Sequence, residues 1–180
     1  MADAVARSTQ PALAAIKLAW WRERLEELDQ GKVPAEPRLK AVAAELLPRG
    51  ISGREFGQLE EGWAALLYDP PDLALIADHG ARLFEIGARL LGVEFDDKTI
   101  GMAGRLFAEV DAARRGLTDV VPASAARGRM KMPARARALT GLAALAARDL
   151  RRGGPPFEAE ATPGRAWTLL CHRLTGRLPR

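Results

Sequence analysis

The chain has 180 residues, enough for one domain, with 48% hydrophobic and 28% charged residues. Alanine and leucine dominate over β-branched residues and aromatics make up 6%, which favours helices over sheets. The net charge of +4 divides unevenly: residues 1–97 carry 11 basic and 17 acidic side chains, residues 98–180 carry 16 and 6. The single cysteine, Cys171, excludes an internal disulfide, and no apolar run approaches the roughly 20 residues of a membrane span.

In chain order, the first helix is expected from Ala12 to about Asp29, entered through Pro11 and stopped by Gly31, with Leu13, Ile16, Leu18, Trp21, Leu25 and Leu28 at helical spacing. Pro34 and Pro37 then make a rigid turn. A second helix runs from about Arg38 to Leu47. A third begins after Ser52, which forms a capping-box pattern with Glu55, and continues through Phe56, Leu59, Trp63 and Leu67 to the break at Asp69-Pro70-Pro71.

The fourth, Asp72 to Leu91, has the clearest apolar face (Leu73, Ile76, Leu83, Phe84, Ile86, Leu90) and closes at Gly92. A fifth spans about Lys98 to Arg115 and ends at Gly116. A sixth, alanine-rich, runs from Pro133 to about Leu150 before Gly153-Gly154-Pro155-Pro156. The seventh begins near Pro163 and ends about Gly176. No stretch alternates like a strand and no repeat is evident, so the pattern predicts an all-α, single-domain helical bundle of about seven helices over residues 1–180.

The segment from Lys17 through Trp20, Trp21, Arg22 and Glu23 to Glu26 resembles the tryptophan–arginine helix of the squalene/phytoene synthase family. Gln10-Pro11 before it, Pro34 to Pro37 after it, Leu59 to Trp63, and Ala81 to Gly92 add to the likeness; Met132 to Asp149 adds a weaker one. The likeness covers about residues 7–180, with its specificity in the first hundred. It implies an isoprenoid-synthase-like fold lacking the first helices; a separate reading is a chain shortened from a longer gene product. Within the family, the tryptophan–arginine helix looks closest to the branch related to mitochondrial complex I assembly factors, which implies a role without prenyl transfer.

Family enzymes ionise an allylic diphosphate with magnesium, which demands hard oxygen ligands; an aspartate pair at i, i+4 puts both carboxylates on one helix face. The first such motif is missing, because Asp3 is the only acid before the matched segment. The second should fall near Glu109 and Asp111, yet the residues four further on are Ala113 and Arg115. The resemblance therefore implies no catalytic residue and no metal ligand, with Trp21, Arg22, Glu109, Asp111 and Arg115 left as candidate ligand-binding positions.

Other acids have simpler roles. Glu23 and Glu27 interleave with Arg22 and Arg24 as on a salt-bridged surface; Asp96-Asp97 suits helix capping; Asp69 and Asp72 suit turns. His79 and His172 are the only histidines, with no zinc-ligand spacing. Cys171 and His172 are adjacent and diverge on a helix, so they make no nucleophile–base pair. No phosphate-binding glycine loop is present.

A basic stretch, Arg127, Arg129, Lys131, Arg135 and Arg137, carries five positive charges without an acid. It suits a diphosphate, an acidic partner or a membrane surface. It lacks the stacking aromatics of nucleic-acid binders, so nucleic acid is not expected. The expectation is a catalytically degenerate scaffold that binds a protein partner or an isoprenyl diphosphate, needs no cofactor, is cytoplasmic with peripheral membrane contact, and self-associates if the missing helices leave a groove. The alternative is an active squalene/phytoene-type synthase using magnesium.

Overall fold

The computed structural model describes residues 1, 4–5, 10–94, 96–119 and 131–178, the Asp97 side chain excepted. The described residues are helical and contain no strand; an isolated antiparallel bridge joins Lys131 to Arg177. None of their helices is long and apolar enough to cross a membrane. All seven expected helical segments are present. Within the span taken as one domain, the chain divides into two compact units, residues 1–72 and 73–180.

The first unit holds α1 (Pro11–Leu28), α2 (Pro37–Glu45), α3 (Gly53–Gly57) and α4 (Glu60–Ala64). In α1, Ala14, Leu18, Leu25 and Leu28 are buried. This stripe advances four, seven and three residues at a time, so Leu13 and Ile16 fall outside it and are exposed, unlike the sequence expectation. Leu25, Leu28 and Leu39 form the core, with Trp21, Val42 and Phe56 packed on them.

The third expected helix is split into α3 and α4, followed by a 3-10 turn at Ala65–Leu67. Glycines 57 and 62 weaken a continuous helix there. Ser52 Oγ accepts from Glu55 N at 3.0 Å, as its spacing predicts. Asp29 adds a second cap, accepting from Gly53 N at 2.6 Å and Arg54 N at 2.9 Å. A Cβ at position 53 would collide with the Leu25 carbonyl, so only glycine lets α3 approach α1 this closely.

The second unit holds α5 (Leu73–Leu90), α6 (Asp97–Arg114), α7 (Arg137–Arg151) and α8 (Pro163–Thr175). Asp96 caps α6, accepting from Thr99 Oγ1 at 2.8 Å and Lys98 N at 3.2 Å. The Thr99 hydrogen bond is the main cause holding its carboxyl below the usual range. Helices α5 and α6 meet where Gly80 and Gly104 face each other's backbone.

The core of this unit joins Phe84 and Ala88, Ile100 and Ala103, Ala143 and Ala144, with Met132 and Leu178. Phe84 and Phe107 stack at 5.7 Å. A second cluster, Leu106, Val110, Ala146 and Ala147, extends toward Leu150 and Phe157. Leu83, expected inside, is exposed on α5.

Candidate functional site

Trp21 and Arg22 lie in the first unit, and Glu109, Asp111 and Arg115 in the second. Trp20 and Trp21 make an edge-on ring pair with centroids 5.1 Å apart. Trp21 packs on Leu25, Leu28 and Leu39, while Arg22 Nη1 donates to Glu60 Oε2 at 3.3 Å. Both side chains are thus engaged in holding their own unit together. Arg24 pairs with Glu27 at 2.9 Å and with Glu23 at 3.7 Å, the salt-bridged surface expected for that helix face.

On α6, Asp111 and Arg115 are joined. Arg115 Nε donates to Asp111 Oδ2 at 2.6 Å across one helical turn. Arg115 therefore stands at the i, i+4 position, so no second carboxylate shares that helix face with Asp111 there. Glu109 is half-buried, and burial pushes its carboxyl above the ordinary 4.5 against the pull of Arg105. Among the described residues no group of three histidines, cysteines, aspartates or glutamates is arranged to hold a metal.

The basic stretch is only partly described, since Arg127 and Arg129 lie outside the described residues. Arg137 serves structure: its Nη1 donates to the carbonyls of Arg173 and Leu174, both at 3.0 Å, and its Nε to Met132 O at 3.3 Å. It thereby satisfies carbonyls that the end of α8 leaves without helical partners. Arg135 Nη1 donates to Gly92 O at 3.4 Å, and Lys131 is exposed.

Asp111 borders a cavity of about 300 Å³ in the second unit, walled by Phe107, Val110 and Leu145 and edged by Arg114, Arg165 and Glu160. Part of its lining is a charge cluster that the sequence pattern does not reveal. Asp149, only 2% exposed, receives Arg165 Nη1 on both oxygens, at 2.7 and 2.9 Å, and Arg114 Nη1 at 3.1 Å. Arg114 Nη2 also donates to Glu158 O at 3.0 Å, and its guanidinium lies over the Phe157 ring.

Glu158 closes the cluster by accepting from Arg148 at 2.8 and 3.2 Å and from Thr162 at 2.6 Å. The Thr162 hydroxyl first, and then Arg148, hold its carboxyl below the ordinary range. A signal for Asp149 was present: it follows buried Ala146 by three residues, on the apolar face of an alanine-rich helix.

The cavity's carboxylates do not suit magnesium. Asp149 is saturated by two guanidiniums, and Asp111, in an exposed pair with Arg115, has no second carboxylate one turn on, so a divalent ion would find no free carboxylate pair and would meet positive charge. The lining holds two arginines and three acids, Asp111, Asp149 and Glu160, which gives a diphosphate no net attraction.

His172 is buried, with Nδ1 3.0 Å from Arg177 O and Nε2 2.9 Å from Thr140 Oγ1. A carbonyl only accepts, so Nδ1 carries the proton and the neutral ring accepts at Nε2 from the Thr140 hydroxyl. Both nitrogens are committed, and neither is left to activate the neighbouring Cys171. Burial, first, and the charge of Arg137 lower its pKa from 6.5.

Compared with protein-family models, curated proteins and solved structures, the chain matches none.

Proposed function

We propose that the chain is a helical binding scaffold with squalene/phytoene-synthase-like ancestry, degenerate in catalysis, which serves by docking to a partner and does not transfer prenyl groups. The single observation that carries this reading is the Asp111–Arg115 pair at 2.6 Å. Ionising an allylic diphosphate calls for carboxylates free to bridge divalent ions to the leaving group. The acid nearest to that role has an arginine, and no carboxylate, one helical turn on, so the companion ligand is missing.

The packing of Trp21 on the core and the ion pair of Arg22 with Glu60 support the same reading, because those scaffold features need no ligand to account for them. A role like that of the assembly-factor branch, meeting a protein or lipid-related partner near a membrane, follows from the resemblance. The test is equilibrium binding of magnesium in the presence of farnesyl diphosphate. The scaffold reading expects no saturable, diphosphate-dependent uptake of the ion; uptake removed by Asp111→Ala would overturn it.

A further inference from the structure

Helix α8 is inside out. Its buried face is polar, formed by Arg165, Thr168 and His172, which are spaced three and four residues apart. Arg165 is bound by Asp149, His172 by Thr140 and Arg177 O, and Thr168 donates to Gly164 O at 3.0 Å. The opposite face repeats the same spacing with Trp167, Leu170 and Leu174, which are 66%, 47% and 69% exposed. A surface helix of a globular domain normally turns its apolar stripe inward. Here the buried charge network fixes the rotation of the helix and leaves the apolar stripe outside.

We propose that this face docks on the surface of an anionic lipid bilayer. Three observations select that occupant. The stripe is flanked by cations: Arg173 is exposed on α8, Arg151 and Arg177 share a surface hollow with Trp167, and no Asp or Glu occurs from residue 161 to the end of the chain. Leucine and tryptophan with arginine beside them form the composition of helices lying in the headgroup region.

The face is also small. Its three side chains expose on the order of 400 Å², about half of what each partner gives to a standard protein interface. A bilayer needs no matching second surface. Finally, a second copy docked face to face would oppose arginine to arginine, which disfavours self-pairing. The proposal specifies the lipid contact within the scaffold role, and the two fail separately: prenyl transfer would overturn the scaffold reading and leave vesicle binding as it is.

The experiment is flotation of the full chain with vesicles of phosphatidylcholine alone and with an equal mixture of phosphatidylcholine and phosphatidylglycerol. Binding is expected to the mixed vesicles only, and to weaken as salt screens the arginines. Leu170→Ser with Leu174→Ser should weaken it about tenfold or more, since the leucines' transfer from water supplies the hold. Circular dichroism should show the fold retained, with only a small fall in the thermal midpoint from serine's lower helix propensity, because both positions are exposed.

A blue shift of tryptophan emission on binding should disappear in Trp167→Phe, which separates Trp167 from the other three tryptophans. Absence of binding to the mixed vesicles would overturn the proposal. So would full binding by the double variant, or a self-associated chain that the double variant makes monomeric, which would assign the face to a second copy.

Discussion

Arg165 Nη1 donates to both oxygens of Asp149, at 2.7 and 2.9 Å, from the buried face of α8 to the buried face of α7. This contact sets the rotation of α8, and with it which residues of the last helix meet the solvent. Arg114 joins from α6, so one carboxylate ties three helices together.

Asp149→Ala should therefore be among the most destabilising single changes in the second unit. It leaves two guanidiniums facing each other without their counter-ion, for a loss of about 3–5 kcal/mol. Urea unfolding measures it. Replacing Asp149 by Leu and Arg165 by Met together should cost less than Asp149→Ala alone, because less uncompensated charge is then left buried.

The helices themselves were legible in the sequence. Proline at the start of α1 and α8 and glycine after α1, α5 and α8 mark their limits, and Gly31, Gly92 and Gly176 have φ of 76°, 62° and 70°. The capping roles of Ser52 and Asp96 were equally readable, since they depend only on local spacing. The direction in which α8 faces was not. Its sequence carries an apolar and a polar stripe with the same period, and periodicity alone favours burying the apolar one. The choice is made by Asp149 and Thr140 on α7, which are distant in sequence. The Asp111–Arg115 pair was visible as a missing carboxylate, although the cavity that Asp111 borders was not.

The close crossing of α5 and α6 gives a second prediction. A Cβ at Gly80 would strike the Gly104 carbonyl, and one at Gly104 the Gly80 carbonyl. Because the obstacle is backbone, it cannot be relieved by a rotamer change. Gly80→Ala and Gly104→Ala should each cost about 1–3 kcal/mol in chemical denaturation, despite alanine's higher helix propensity.

His172 gives a pH dependence whose sign follows from its surroundings. Its folded pKa lies below 6.5, so the unfolded chain binds a proton more readily. Its neutral form contributes stability that is present above about 6.5 and is lost as pH falls from there through the lowered folded value. Protonation also reverses the Thr140 contact: Nε2 becomes the donor and the Thr140 hydroxyl turns to Ala136 O, 3.0 Å away. Thermal unfolding followed from pH 7 downward should show a fall that His172→Gln flattens.

Glu109 works in the opposite sense. Burial raises its folded pKa above 4.5, so the folded chain holds the proton more tightly and stability falls as pH rises through that interval. Glu109→Gln should leave the protein at least as stable at neutral pH and remove that part of the pH dependence. A clear loss of stability at pH 7 would mean that the ionised carboxylate is needed.

The most direct measurement of the scaffold reading is turnover: diphosphate release by the full chain incubated with farnesyl or geranylgeranyl diphosphate and magnesium. The expected result is a rate indistinguishable from that without protein, because Asp111 has Arg115 in place of a companion carboxylate one turn on, and among the described residues no group of three histidines, cysteines, aspartates or glutamates is arranged to hold an ion. Release above that rate, abolished by Asp111→Ala, would contradict it.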